Sequence, residues 1–178
     1  SVIMAVRDTA KGERVRAELQ GDLEVRQVDL ADLDSVRRFA DRMHADGRRI
    51  DVLLNNAGVG PQAHALTPQG YERIFATNHL GPFALTGLLL ELFRPDRDPR
   101  VVTVGSNAYR RLRPRTDFED LAAERSFSSG AAYLKSKTAN LLFGAELDRR
   151  LRRAGSPVRR FLVHPGMAST PMHDSARG

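Results

Sequence analysis

Short runs of β-branched and aliphatic residues alternate along the chain with longer amphipathic stretches. Val2–Val6 (VIMAV) reads as a buried strand, residues 9–20 as a helix, and Leu23–Val28 (LEVRQV) as a second strand. Asp32 is placed to cap a helix running to about residue 45, with Leu33, Val36, Phe39, Ala40 and Met43 on one stripe. Residues 50–58 (IDVLLNNAG) predict a strand that runs into a glycine turn, residues 67–76 a short helix, and 79–93 a longer, mostly apolar one. RVVTVGS (100–106) is a fourth strand, and the polar, Arg/Asp/Ser-rich stretch 107–129 reads as mostly loop. A helix follows over about 131–153, and VRRFLVHPG (158–166) predicts a strand ending in a Pro-Gly turn.

Helices of this length between such strands make βαβ units, hence an α/β fold with a mostly parallel sheet covered by helices on both faces. In such sheets ligands bind beyond the carboxyl ends of the strands. Those ends hold Arg7, Asp29, Asn55–Gly58, Ser106 and Pro165-Gly166. One domain over 1–178 accounts for the pattern. No strand followed by a glycine-rich phosphate turn precedes Val2, and the chain stops soon after a strand-end turn. The domain is therefore expected to be incomplete at both ends.

Composition narrows the classes. The 178 residues carry a net charge of +6 and no cysteine, which excludes disulfides and thiolate chemistry. The basic residues are almost all arginine, in pairs scattered along the chain with acids among them, and aromatics are few. That distribution argues against a nucleic-acid surface. No apolar run is long enough to span a membrane, and the first residues make a poor signal peptide, so a cytoplasmic protein is expected. The histidines His44, His64, His79, His164 and His173 are dispersed without metal-ligand spacing, so no metal is expected. His79 reads as a packed or hydrogen-bonded helix residue.

The chemistry is concentrated in AYLKSKTANLLF (132–143). On a helix, Tyr133 and Lys137 lie one turn apart. Free tyrosine, with a pKa near 10, is a poor base at neutral pH, but a nearby ammonium stabilises the phenolate. Such a tyrosine can take a proton from an alcohol or give one to a carbonyl oxygen. Ser106, at a strand end, could hold the same oxygen as its charge changes. Taken alone, the pair reads more readily as an i,i+4 surface pair with Tyr133 partly packed.

Further phrases accompany that stretch: NNAGVG (55–60), TNHLGPF (77–83), VVTVGS (101–106), HPGMAST (164–170) and the pair Asp29-Leu30. Along nearly its whole length the chain resembles the short-chain dehydrogenase/reductase family. Within that family it is most similar to the retinol-dehydrogenase-like oxidoreductases, sharing NHLG, SKxAN and a long insert with a DFEDL segment (117–121). The resemblance implies a Rossmann-like, doubly wound NAD(P)-binding domain. It gives Ser106 the substrate oxygen, Tyr133 the acid/base role, and Lys137 the tasks of tuning Tyr133 and holding the nicotinamide ribose. Asn78 completes the tetrad. Asp29 faces the adenine with Leu30 beside it. Asn55, Ala57 and Gly58 line the cofactor and steady the central strands, and Pro165, Gly166 and Thr170 bracket the nicotinamide.

The implied reaction is hydride transfer between the cofactor and an alcohol or carbonyl carbon of a small-molecule substrate, by a homodimer or homotetramer. At Val6, where NAD-selective folds place a carboxylate, none exists. The next residue is Arg7, whose guanidinium suits the 2′-phosphate of NADP; NAD is the alternative. Asp8 weakens that attraction unless it caps the helix that follows. Gly105 stands where a second serine is common. Arg110, Arg111, Arg113 and Arg115 crowd the insert, which is expected to border the substrate cleft. Two other readings of the fold stay open: a reductase or epimerase for a larger activated substrate, and a catalytically silent binding protein.

Overall fold

Helix starts fall where the sequence offers a side-chain oxygen to an unpaired backbone N–H. In the structure, a computed structural model that describes residues 1–106 and 118–166, strand β1 (Val2–Val6) is followed by α1 (Thr9–Glu18). Asp8 Oδ1 accepts from the Lys11 N–H at 2.9 Å, so the acid beside Arg7 is the helix cap. After β2 (Leu23–Gln27) comes α2 (Leu33–Ala45), capped by Asp32, which accepts from the Asp34 N–H at 3.0 Å. β3 (Val52–Asn55) is shorter than the predicted strand.

Of the helix expected over 67–76, only α3 (Arg73–Phe75) forms. The cause is Glu72, whose carboxylate accepts from the Ile74 and Phe75 N–H groups, both at 2.8 Å, and so starts the helix there. Thr67 and Gly70 are held in a turn, with Gly70 at φ +80. The helical path then runs without a break through a π-turn (Ala76–Leu80), α4 (Gly81–Leu89) and a 3₁₀ turn (Leu90–Leu92). β4 (Arg100–Val104), α5 (Ser129–Arg153, capped by Ser128) and β5 (Arg159–Val163) complete the order. Thr170 and the insert arginines Arg110, Arg111, Arg113 and Arg115 lie outside the described residues.

All strand pairs are parallel, and the fold is α/β and Rossmann-like. The strands form two sheets, β1-β2 and β3-β4-β5. Against the first sheet α1 lies close, because Gly12 has no Cβ; one there would come within 2.9 Å of the γ-carbons of Val6 and Val25. In the second sheet, register sets Leu54, Val102 and Phe161 side by side. On the opposite face Leu53 and Val101 enter the core, with Val36, Phe39 and Met43 of α2, Leu85 and Leu89 of α4, and Leu147 and Leu151 of α5. Each such burial contributes on the order of 1.5–3 kcal/mol. Val101 is 1% exposed, whereas Leu54 is 58% exposed, with Val52, Phe161 and Val163 also open to solvent. No helix among the described residues is long and apolar enough to cross a membrane.

Candidate active site

Tyr133 and Lys137 occupy successive turns of α5. Lys137 is 8% exposed, and its Nζ stands 5.7 Å from the Tyr133 ring centroid. The ammonium donates to the Val104 carbonyl at 3.3 Å, which ties the helix to the strand end two residues before Ser106. Burial pushes the Lys137 pKa down. No carboxylate pairs with this ammonium among the described residues. A buried cation with three donors and one protein acceptor is suited to the oxygens of a bound polar ligand and to a phenolate.

Asn78, 2% exposed, is held by both functions of its amide. Oδ1 accepts from the Val59 N–H at 2.7 Å, and Nδ2 donates to the Val59 carbonyl at 3.0 Å and to Ser136 Oγ at 3.1 Å. Ser136 Oγ in turn donates to the Tyr133 carbonyl at 2.7 Å. The loop after β3 is thereby clamped to the helix that carries Tyr133 and Lys137. Gly58 lies in the angle between them. A Cβ there would come to 3.1 Å from Asn78 Oδ1 and 3.7 Å from Lys137 Nζ, filling the space in front of the ammonium. Asn55 does not share this space: its Nδ2 donates to Thr86 Oγ1 at 3.0 Å, pinning the end of β3 to α4. Ala57 is exposed in the turn between.

The other expected cofactor contacts lie along the ends of β1, β2 and β5. Arg7 is exposed and makes no hydrogen bond or ion pair among the described residues. The Asp29 Oδ1 accepts from the Ala31 N–H at 2.9 Å, shaping the turn that carries Leu30. Leu30 packs on the core, and its carbonyl lies against Gly81, where any Cβ would collide with it. Pro165 and Gly166 are exposed beyond β5, Gly166 at φ +78, in the left-handed region that favours glycine. At Gly105 a Cβ would meet Leu162 Cδ1 at 3.0 Å, so a serine there would press on that side chain. The described end of the insert is anchored: Lys135 Nζ donates to the Asp120 carbonyl at 2.6 Å, and the His64 ring bonds the Ala122 carbonyl at 2.9 Å.

Sequence reasoning missed Ser136, Asn140 and Gly81. The first two carried a legible signal: polar residues three and seven positions after Tyr133, on the helix face that includes Lys137. Gly81 gave none, because its need comes from a loop 51 positions away. Among the described residues no group of three or more His, Asp or Glu side chains is arranged to hold a metal.

Comparison with known proteins gives a consistent result. The profile of the short chain dehydrogenase family matches residues 1–116. Retinol dehydrogenase 12 of Mus musculus is 41% identical over 171 residues, covering 93% of this chain and 53% of its own length. A crystal structure from Mycobacterium Paratuberculosis superimposes with a TM-score of 0.84 at 49% identity, over 98% of this chain and 62% of that one. A metagenomic short-chain oxidoreductase in complex with NADP gives a TM-score of 0.67 at 26% identity, over 98% and 75%. The chain spans about half the length of the curated relatives it matches.

Proposed function

Because the chain belongs to the short-chain dehydrogenase family, we propose that the protein is an oxidoreductase acting on an alcohol or carbonyl carbon of a small or lipophilic substrate, with NADP(H) as cofactor. The observation that carries this reading is the buried Lys137 ammonium, set over the Tyr133 ring and unpaired with any described carboxylate. When bound, the nicotinamide supplies or accepts the hydride. Lys137, with Gly58 keeping the space before it open, holds ribose hydroxyls and stabilises the Tyr133 phenolate. Tyr133 Oη gives a proton to the substrate oxygen in reduction and takes it back in oxidation. Ser106 Oγ holds that oxygen as its charge changes.

At the far end, the Asp29 turn and Leu30 face the adenine, and Arg7 takes the 2′-phosphate; its exposed guanidinium, unpartnered among the described residues, supports NADP over NAD. Pro165, Gly166 and Thr170 bracket the nicotinamide, and Ala57 lines the loop between. Phe83, 52% exposed, and Leu142, 55% exposed, present apolar side chains to solvent on α4 and α5, which supports a homodimer or homotetramer.

Steady-state assay of the full-length protein with NADPH and a panel of aldehydes and ketones tests the reading. Tyr133→Phe should lower turnover by roughly 10²–10⁴-fold with the fold intact. Parent-rate turnover by the folded variant would overturn the assignment.

A further inference from the structure

The helix that carries Asn78 loses a backbone hydrogen bond at that residue. In an α-helix the carbonyl of residue i accepts from the N–H of residue i+4. Four positions after Asn78 stands Pro82, which has no N–H. The chain widens here into the π-turn, where the Gly81 N–H reaches back to the Ala76 carbonyl. In place of the missing donor, Asn140 Nδ2 reaches across from α5 and donates to the Asn78 carbonyl at 2.9 Å. A carbonyl only accepts, so this bond fixes the direction of the Asn140 amide. Its Oδ1 then faces His79 Nδ1 at 2.9 Å, and since Oδ1 also only accepts, Nδ1 carries the proton. Burial pushes the His79 pKa down, which favours the neutral ring. The rings of Phe75, Phe83 and Phe143 surround it, with centroids at 5.2, 5.9 and 6.2 Å.

We propose that Asn140 and His79 are positioning residues that act through Asn78. Asn140 fixes the backbone of Asn78 by its donor and that of the next residue, through His79, by its acceptor. Together they hold the π-turn open, so that the Asn78 amide stays between Val59 and Ser136. Closing the turn to a regular α-helix would rotate Asn78 by about 100°, one residue's advance, and release the loop that carries Gly58 from α5. Asn140 sits three residues beyond Lys137 on the same helix, so the clamp and the ammonium share one rigid support. The effect on turnover rests on the function proposed above; the placement of Asn78 rests on the hydrogen bonds alone.

Two variants of the full-length protein test this, each read by hydrogen exchange at the Val59 amide, whose N–H is bonded to Asn78 Oδ1, and by kcat and KM. Asn140→Asp keeps the side-chain size and the acceptor for His79 but has no donor for the Asn78 carbonyl. His79→Phe keeps a ring in the aromatic cluster and removes Nδ1. For Asn140→Asp, Val59 exchange should quicken by about tenfold, the scale of one lost hydrogen bond. Turnover should fall on the order of 10–100-fold, as it does when a positioned group shifts, with a smaller rise in KM for the cofactor, which the released Gly58 loop lines. His79→Phe should change both in the same direction, by about threefold. Unchanged Val59 exchange in the folded variants overturns the positioning role, and faster exchange with parent kcat in an active enzyme overturns its link to catalysis. If Asn140→Asp does not fold, as judged by circular dichroism, His79→Phe decides by the same two readouts. A parent protein without nicotinamide-dependent turnover would refute the proposed function, and Val59 exchange would still decide the clamp.

Discussion

The two ends of the candidate cofactor site are built in opposite ways. At the Tyr133 end, Asn78, Ser136, Lys137 and Asn140 are buried, and each is hydrogen-bonded to another element. At the Arg7 end, the carboxylates of Asp8 and Asp29 are spent on local turns, and the guanidinium stands in solvent without a partner among the described residues. A satisfied buried network fixes its members within narrow limits, because any displaced polar group is left unpaired in a low dielectric. A solvated side chain is placed only when its ligand arrives. One end therefore suits chemistry, which needs fixed geometry, and the other suits recognition of a charged group, which tolerates adjustment.

The largest effect should come from the buried end. Lys137→Met should reduce turnover by roughly 10²–10⁴-fold, the range of lost acid–base assistance, yet raise the melting temperature at neutral pH. Burial holds the Lys137 pKa below its usual 10.5. Between those two values the unfolded chain binds more protons than the folded one, so this group's contribution to stability rises with pH across that window. At neutral pH the buried charge is a net cost that the methionine lacks. The difference in melting temperature between parent and variant should narrow as pH rises toward 10.5; a variant less stable than the parent at pH 7 would mean that the ammonium is compensated in the folded state.

The exposed end should respond more gently and only through affinity. Arg7→Ala should weaken NADPH binding by roughly 1.5–3 kcal/mol, the scale of a hydrogen bond to a charged group, and leave kcat at saturation and NADH binding almost unaltered. Titration of the full-length protein with both cofactors checks this, and equal losses for the two would refute the 2′-phosphate assignment. The smallest effect belongs to Asp8. Asp8→Ala should cost about 1 kcal/mol of stability, as cap removal does, while Asp8→Asn should cost little. Denaturant melts of the two variants separate a cap from a charge that opposes the cofactor phosphate.

Much of this architecture was legible from the order of residues. The strands and the long helices follow from apolar periodicity, and the Asp32 cap and four of the five stripe residues of α2 lie where the pattern puts them; Leu33 is only half-buried. The placement of Tyr133 and Lys137 on successive turns of α5, and of Ser106 just past β4, was legible because local rules, i,i+4 spacing and a strand end, govern it. The interruption around Asn78 was not. Pro82 removes a hydrogen bond from a carbonyl four residues earlier, and the donor that replaces it comes from 62 positions away. The late start of α3 was hidden for a similar reason: Glu72, a buried carboxylate, caps the helix from a position where glutamate usually reads as helix interior.

Among the described residues one face of the β3-β4-β5 sheet is open, and this bears on how the chain would look to a fluorescent probe. Val52, Leu54, Phe161 and Val163 present apolar surface that adjoins Val102 and Val104 in register. A dye that brightens on such surface would bind the folded 178-residue chain, and its signal is ordinarily taken as the mark of a loosened, molten state. Here it would arise from a sheet whose other side is closed, and near-UV dichroism, which reports fixed aromatic packing, would stay native while the dye shone.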